Sequence, residues 1–310
     1  MRSSARFVSL PAAVALAALT ALLALAAPGG ANDPGPAAAP ADSHRIAPAV
    51  AADTSAVADS ASAADSVAGD ERAAVGIKAP KTGPPEVPWK IGEYFQFSID
   101  WNGLNGGSSL MQVQNYIRVD GRRCYRIVTK AESNSFVSKF YKVRDRAESA
   151  VDAESLYSLR FIKRLREGGY KKDIDVRFDQ AKNLANYDNG KTLEVAPRVH
   201  DVLSAFYYIR TQPLPDGAVI VIPTHDNEKS YEMEVEVLKR ERVEVPAGTF
   251  SCVVVEPKLK SEGIFKSKGS MQVWLTDDEK RMPIQVRSKV PVGSISVRLT
   301  DYRLAFERRR

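Results

Sequence analysis

The stretch Tyr231-Glu232-Met233-Glu234-Val235-Glu236-Val237 alternates four apolar side chains with three glutamates. Successive side chains of an extended chain point to opposite faces, so this segment predicts a strand with one dry and one wet face. The same period recurs on both sides of it. Ile174, Val176 and Phe178 alternate with Asp173, Asp175 and Arg177. Ile284, Val286 and Ser288 alternate with Gln285, Arg287 and Lys289, and Ile295, Val297 and Leu299 with Ser296, Arg298 and Thr300. Strands wet on one side and dry on the other belong to an antiparallel sheet curled over its own core.

Turn chemistry separates the alternating runs. Gly103 to Gly107, Asp120-Gly121, Gly168-Gly169, Asn189-Gly190 and Pro246-Ala247-Gly248 fall between them. Asp-Gly and Asn-Gly tolerate positive φ and favour tight hairpins, so roughly a dozen strands joined mainly by short turns are expected. One segment has a different period. Val199, Val202, Leu203, Phe206 and Tyr207 recur at helical spacing between Pro197 and Pro213, predicting one amphipathic helix at about 199–210. A lone helix in such a domain is expected to plug or cover an open edge or mouth of the sheet. A short helical turn is read around 136–141.

Core-forming residues begin near Pro88. Residues 28–87 are dominated by Ala, Pro, Asp, Ser and Gly. Such a segment buries too little apolar surface to offset its backbone entropy, and a disordered linker is expected. Ahead of it, Arg2 and Arg6 precede an apolar run from Phe7 to Ala27 that ends in small residues. These are the parts of a secretory signal peptide, with an approximate end at residue 27. Cleavage near Ala24-Leu25-Ala26 or Gly29-Gly30-Ala31 fits that reading, and an inner-membrane anchor over residues 7–27 is the alternative. The domains expected are therefore a signal peptide at 1–27, a linker at 28–87 and a β-rich domain at 88–306, located in the periplasm or cell envelope. The net charge of +6 gives a weak attraction for anionic lipid or glycan, against a bland reading as a soluble mixed-charge surface. In an oxidising compartment Cys124 and Cys252 form one bridge or stay separate as two buried thiols, and the sequence leaves both open.

The C-terminal half carries a resemblance. The stretches Val245-Pro246-Ala247-Gly248-Thr249-Phe250-Ser251-Cys252 and Val255-Glu256-Pro257 carry it first. Gly269 with Trp274-Leu275-Thr276-Asp277-Asp278, then Arg281-Met282-Pro283 and Val292-Gly293-Ser294-Ile295, extend it. The helical Asp201-Val202-Leu203-Ser204-Ala205-Phe206-Tyr207-Tyr208-Ile209-Arg210 fits as well. Together they resemble the domain of unknown function 3108 family of exported bacterial proteins, over about 88–305. The resemblance implies a β-rich, barrel-like fold and an envelope location, and it brings no catalytic residues with it.

No catalytic constellation stands out. His200-Asp201 and His225-Asp226 are neighbour pairs, but adjacent residues point in different directions, and no Gly-x-Ser-x-Gly elbow is present. Asp277-Asp278-Glu279 lacks the alternation of a calcium loop and reads as a hairpin turn. Two cysteines and three histidines without paired spacing do not make a zinc site. Neither cofactor nor metal is expected. Trp101, beside Asp100, Asn102 and Gly103, is read as closing one end of a barrel, with ligand or surface contact as the alternative. Lys163, Arg164 and Arg166, with Lys171 and Lys172 beyond a Gly-Gly turn, read as a basic hairpin tip. Its default is a solvated hairpin, and contact with anionic lipid or glycan is the alternative.

The function expected is that of a non-catalytic exported envelope protein, its curved sheet holding an apolar or amphipathic, lipid-like ligand. A scaffolding role contacting envelope protein or cell wall is the first alternative, and an unrecognised hydrolase of envelope polymers the second. No nucleic-acid partner is expected, and membrane association only through an uncleaved N-terminus.

Overall fold

Fourteen strands realise the alternation. The computed structural model describes residues 85–260, 271–289 and 293–304. The expected signal segment and linker residues 28–84 lie outside them. The strands are β1 (Tyr94–Trp101), β2 (Leu104–Val119), β3 (Arg122–Ser133), β4 (Arg144–Asp152), β5 (Ser158–Glu167), β6 (Tyr170–Asp179) and β7 (Leu184–Tyr187). They continue with β8 (Thr192–Glu194), β9 (Val219–Asp226), β10 (Lys229–Val245), β11 (Gly248–Lys260), β12 (Met271–Thr276), β13 (Pro283–Lys289) and β14 (Ser294–Arg303). One helix, α1 (Val202–Ile209), connects β8 to β9.

All fourteen strands share one antiparallel sheet in the order β8-β7-β6-β5-β4-β3-β2-β1-β14-β13-β12-β11-β10-β9. Two meanders, β1–β8 and β9–β14, are zipped together where β1 pairs with β14, from Tyr94 opposite Arg303 to Trp101 opposite Ile295. The domain's first and last strands therefore lie in the middle of the sheet. Its free edges are β8 and β9, and α1 runs between them. The sheet curves without closing its ladder. Irregularities in the long strands, at Val113/Asn115 of β2 and Val237/Lys239 of β10, bend and twist the sheet locally.

Curvature brings the inner face around α1. Phe95, Phe97 and Ile99 of β1, Ile127 of β3, Phe161 of β5 and Val297 of β14 share one contiguous core with Leu203 and Tyr207 of the helix. Seven of the eight α1 residues are buried, and Tyr208 is partly so. The helix is thus enclosed by the sheet rather than laid across its mouth. It is also shorter than the 199–210 span, because residue 200 is extended and bridges Thr224 of β9, lending that edge a short backbone partner. The turn read around 136–141 is a 3-10 turn at Val137–Lys139.

The outer face carries the charges. Glu148 accepts from Arg126 at 2.8 Å and Arg146 at 2.7 Å, and Asp173 is held by both guanidinium nitrogens of Arg166 at 2.6 and 2.9 Å. Such partly exposed pairs contribute roughly 0–1 kcal/mol each, so they serve solubility and register more than stability.

One sequence-based expectation changes here. Gly103 to Gly107 is not all turn, since the hairpin occupies Asn102-Gly103 and β2 starts at Leu104. Gly107 lies so close to β3 that an added Cβ would run into the Glu132 carbonyl oxygen. Gly107→Ala is therefore expected to cost about 2 kcal/mol or more by forcing the two backbones apart, measured as a lower urea midpoint.

The cysteines do not form a bridge. Both are buried free thiols, Cys252 in the main core and Cys124 in a separate small cluster with Val119, Ala150 and Leu159. Burial pushes the Cys124 thiol up to about 11 and the Cys252 thiol up to about 12. Thiolate is the reactive form. Alkylation of the native protein at pH 8 should therefore leave both unmodified by mass spectrometry and modify both after unfolding. Reductant should not move the melting temperature.

Candidate functional site

Among the described residues the interior holds an apolar cleft and two buried polar devices. The cleft lies along α1. Val202, Ala205, Phe206 and Ile209 line one wall; Met233 and Val235 of β10, Val255 and Pro257 of β11, and Val273 of β12 line the other. Its cavity volume is about 20 Å³, and the wider space between the walls opens to solvent. Ala205 is the small residue that leaves the gap. Among the described residues no polar side chain lines the cleft, so they offer contact to a hydrocarbon chain and nothing to a reacting group.

The helix bearing this wall is fixed at both ends. At its N-terminus Asp201 caps Leu203 N at 2.8 Å and Ser204 N at 2.9 Å through Oδ1. Its Oδ2 accepts from Ser149 Oγ of β4 at 2.6 Å and Ser158 Oγ of β5 at 2.5 Å. An N-cap satisfies orphan helix amides, and the two serines tie that cap to the far wall. Burial pushes the Asp201 carboxyl up, opposed by these four hydrogen bonds. At the other end Arg210 forks onto Glu93, Nη1 to Oε1 at 2.7 Å and Nη2 to Oε2 at 2.8 Å, with both side chains buried. The Arg210 guanidinium also donates to the carbonyls of Arg281 at 3.0 Å and Lys280 at 3.1 Å. Its face packs on Trp89, Phe95 and Tyr207 at 5.0 to 5.6 Å.

The second polar device is a seam from β5–β7 to β9. Lys163 Nζ donates to Asp226 at 2.7 and 3.0 Å, with both groups buried. Asn227 Nδ2 also donates to Asp226 at 2.8 Å, and Lys172 Nζ donates to Asn227 at 3.1 Å. Burial drives Lys163 down and Asp226 up, and their mutual attraction opposes both shifts. Beside them Tyr187 OH lies 2.7 Å from His225 Nε2, and His225 Nδ1 lies 2.8 Å from Ser230 Oγ. Burial lowers the His225 pKa to about 4, so the ring is neutral near pH 7. Tyr187 OH already accepts the Glu228 amide at 2.9 Å. The arrangement assigns its proton to Nε2, leaving Nδ1–H to donate to Ser230. Side chains thus close what the backbone ladder leaves open.

The residues singled out in sequence separate. Lys163 is not at a hairpin tip: it points inward and is fully buried, because alternation along β5 puts it on the face of Phe161. Arg164 and Arg166 remain on the surface side, Arg166 paired with Asp173. Trp101 ends β1 half-buried and packs against the core. His200 is buried, with Nδ1 3.3 Å from Ser204 Oγ, and burial lowers its pKa to about 3. The Ser204 hydroxyl is itself committed to the Asp201 carbonyl at 3.0 Å. Asp278 folds its own turn, accepting from Lys280 N at 3.0 Å and Thr276 Oγ1 at 2.6 Å. Glu93 and Tyr187 carry no local signal in the sequence, while Arg210 and most of the cleft lining stand out there only as helix, strand and family-resemblance positions and not as site candidates.

A carboxyl pair lies near the ends of β4 and β5. Asp145 is buried and Glu167, half-buried, is its neighbouring carboxyl, with Arg166 N donating to Asp145 at 2.8 Å. Burial and the neighbouring Asp145 carboxyl raise Glu167 from 4.5 to about 7. The folded protein then holds this proton more tightly than the unfolded chain. The stabilisation is full below about pH 4.5 and is lost as pH rises through about 7. Glu167→Gln should match the wild type near pH 4.5 and exceed it by about 1 kcal/mol at pH 8, discounted for partial exposure, in denaturant melts across pH.

Comparison with known proteins settles the family. The family described as "protein of unknown function (DUF3108)" matches residues 96–300. The chain belongs to the DUF3108 family. Among solved structures, this DUF3108 chain is similar to the β-barrel-like protein of domain of unknown function DUF1849 from Brucella abortus. The two are 11% identical with a TM-score of 0.51, covering 72% of this chain and 100% of that one. A DUF1089 family protein from Pseudomonas aeruginosa matches at 12% identity and a TM-score of 0.34, over 62% of this chain and 92% of that one. At these identities the first likeness bears on the fold alone, a barrel-like curved sheet. No curated protein matches.

Proposed function

We propose that this DUF3108 protein is a non-catalytic exported envelope protein that holds an apolar or amphipathic, lipid-like ligand in the cleft between α1 and β10–β12. The apolar lining of that cleft by the described residues carries the reading. Export rests on the sequence, where two arginines precede an apolar run ending in small residues. The absence of catalysis rests on the fates of His200, Ser204 and Asp201. All three are enclosed and engaged with one another or with the helix end.

Ala205→Phe tests the cleft by filling it. A polyene fatty-acid probe should bind the wild type saturably and lose at least tenfold in affinity with the variant. Overpacking alone costs about 1–3 kcal/mol, so the variant's fold is checked by its melting curve. Absence of saturable binding to the folded wild type would refute the proposal.

A further inference from the structure

The meander places the turns after β1, β3 and β5 at one end of the sheet, and they are tied to one another there. Asn134 Nδ2 donates to Asn105 O at 2.8 Å, and Asn134 N donates to Gly106 O at 2.9 Å. Gly168 N donates to Lys142 O at 2.8 Å, fastening the β5–β6 turn to the loop between β3 and β4. Within that loop Asn134 Oδ1 accepts from Val137 N at 2.9 Å, and the Ser133 and Ser138 hydroxyls lie 2.6 Å apart. The loop is a braced platform, and what it presents is apolar.

Six large apolar side chains are exposed among the described residues, and four lie at this end: Leu104 at 73%, Phe136 at 68%, Phe140 at 79% and Tyr170 at 49%. Phe136 and Phe140 bracket the 3-10 turn with their rings edge to face, 5.7 Å apart. Holding two phenylalanines in water is unfavourable, and an exposed apolar cluster on a soluble domain marks a contact surface. Its surroundings indicate the chemistry of the contact. Lys139, Lys142 and Lys171 are exposed around the rings, as is Arg144. Glu132 is the exposed acid of the platform, while Asp145 is buried and Glu167 half-buried beside it.

We propose that this rim docks on an anionic lipid bilayer, the aromatic pair entering the interfacial layer while the lysines meet the headgroup charge. Aromatic tips with flanking lysines suit a boundary that is apolar on one side and negatively charged on the other. This contact is separate from any attachment through residues 7–27. It does not depend on the cleft being occupied, so either reading can fail alone.

The test uses the full chain with an environment-sensitive dye at Ser135→Cys on the rim, or at Lys182→Cys in the β6–β7 turn at the opposite end. Vesicles of phosphatidylglycerol and phosphatidylethanolamine should shift the rim dye to the blue and leave the Lys182 position unchanged. Phosphatidylcholine vesicles should shift neither. Phe136→Ser with Phe140→Ser should abolish the shift. Lys139→Glu with Lys142→Glu should raise the lipid needed about twenty-five-fold or more, as two lysines near an anionic surface contribute roughly fivefold each. Unchanged melting curves verify that the variants fold. Equal shifts at both positions, a shift indifferent to the Phe pair, or no shift would overturn the proposal. So would a protein-concentration-dependent shift without vesicles, which would mark the rim as a contact between copies.

Discussion

Arg210→Ala should destabilise the domain by about 3–5 kcal/mol, because it leaves the Glu93 carboxylate buried without its fork of donors. For a domain of this size that is a loss of roughly 10 °C in melting temperature. Two further effects add to the lost pairing. The carbonyls of Lys280 and Arg281 lose their donor, and three aromatic rings lose the guanidinium packed against them. Arg210→Lys keeps the charge but not the planar fork, and should fall between wild type and Ala. Because Arg210 joins the end of α1 to Glu93 beside β1 and to the β12–β13 turn, hydrogen exchange should rise in all three places. A loss below 1 kcal/mol would contradict the role assigned to it.

Lys163→Met should have a comparable effect through the seam. Asp226 is left buried with Asn227 as its remaining neutral donor, and a cost of about 3–5 kcal/mol is expected. Asp226→Leu alone should cost about as much, while the double variant should lose far less than the sum. Replacing both ends of a buried ion pair with apolar groups is often nearly neutral, and neighbouring residues couple strongly. Exchange should rise most in β9, the edge strand the seam holds, and least at the β1–β14 pairing. Additive losses in the double variant would show that the pair does not act as a unit.

Lys163 also shows where sequence reading stops. The run Lys163-Arg164-Leu165-Arg166 looks like a surface patch when read as composition. Read by period, Lys163 shares a face with Phe161 and points inward, so its direction was legible in the same residues. Its partner was not: Asp226 lies 63 positions away and meets it only because the curved sheet carries β9 back toward β5. The same holds for Glu93 and Arg210, 117 positions apart. The strands themselves were legible, since alternation and turn residues are local. The enclosure of α1 was not, because helical spacing reveals an apolar stripe but not that a sheet will wrap the remaining sides. Small residues there, Ser204 and Ala205, were the available hint. The cysteines illustrate a third case. Cys124 stands between Arg123 and the inward Tyr125, so its parity places it on the outer face. Cys252 belongs to the inner core, and no bridge joins them.

The proposed function rests on the cleft, and the Arg210–Glu93 pair holds the end of α1, which forms one of its walls. The most direct measurement of the central claim is mass spectrometry of the organic extract of the protein, purified from the cell envelope without detergent. The wild type should carry an apolar or amphipathic molecule at close to one per chain, and Ala205→Phe should carry little or none. A wild-type protein that is folded, free of any such molecule and unchanged by the substitution would contradict it.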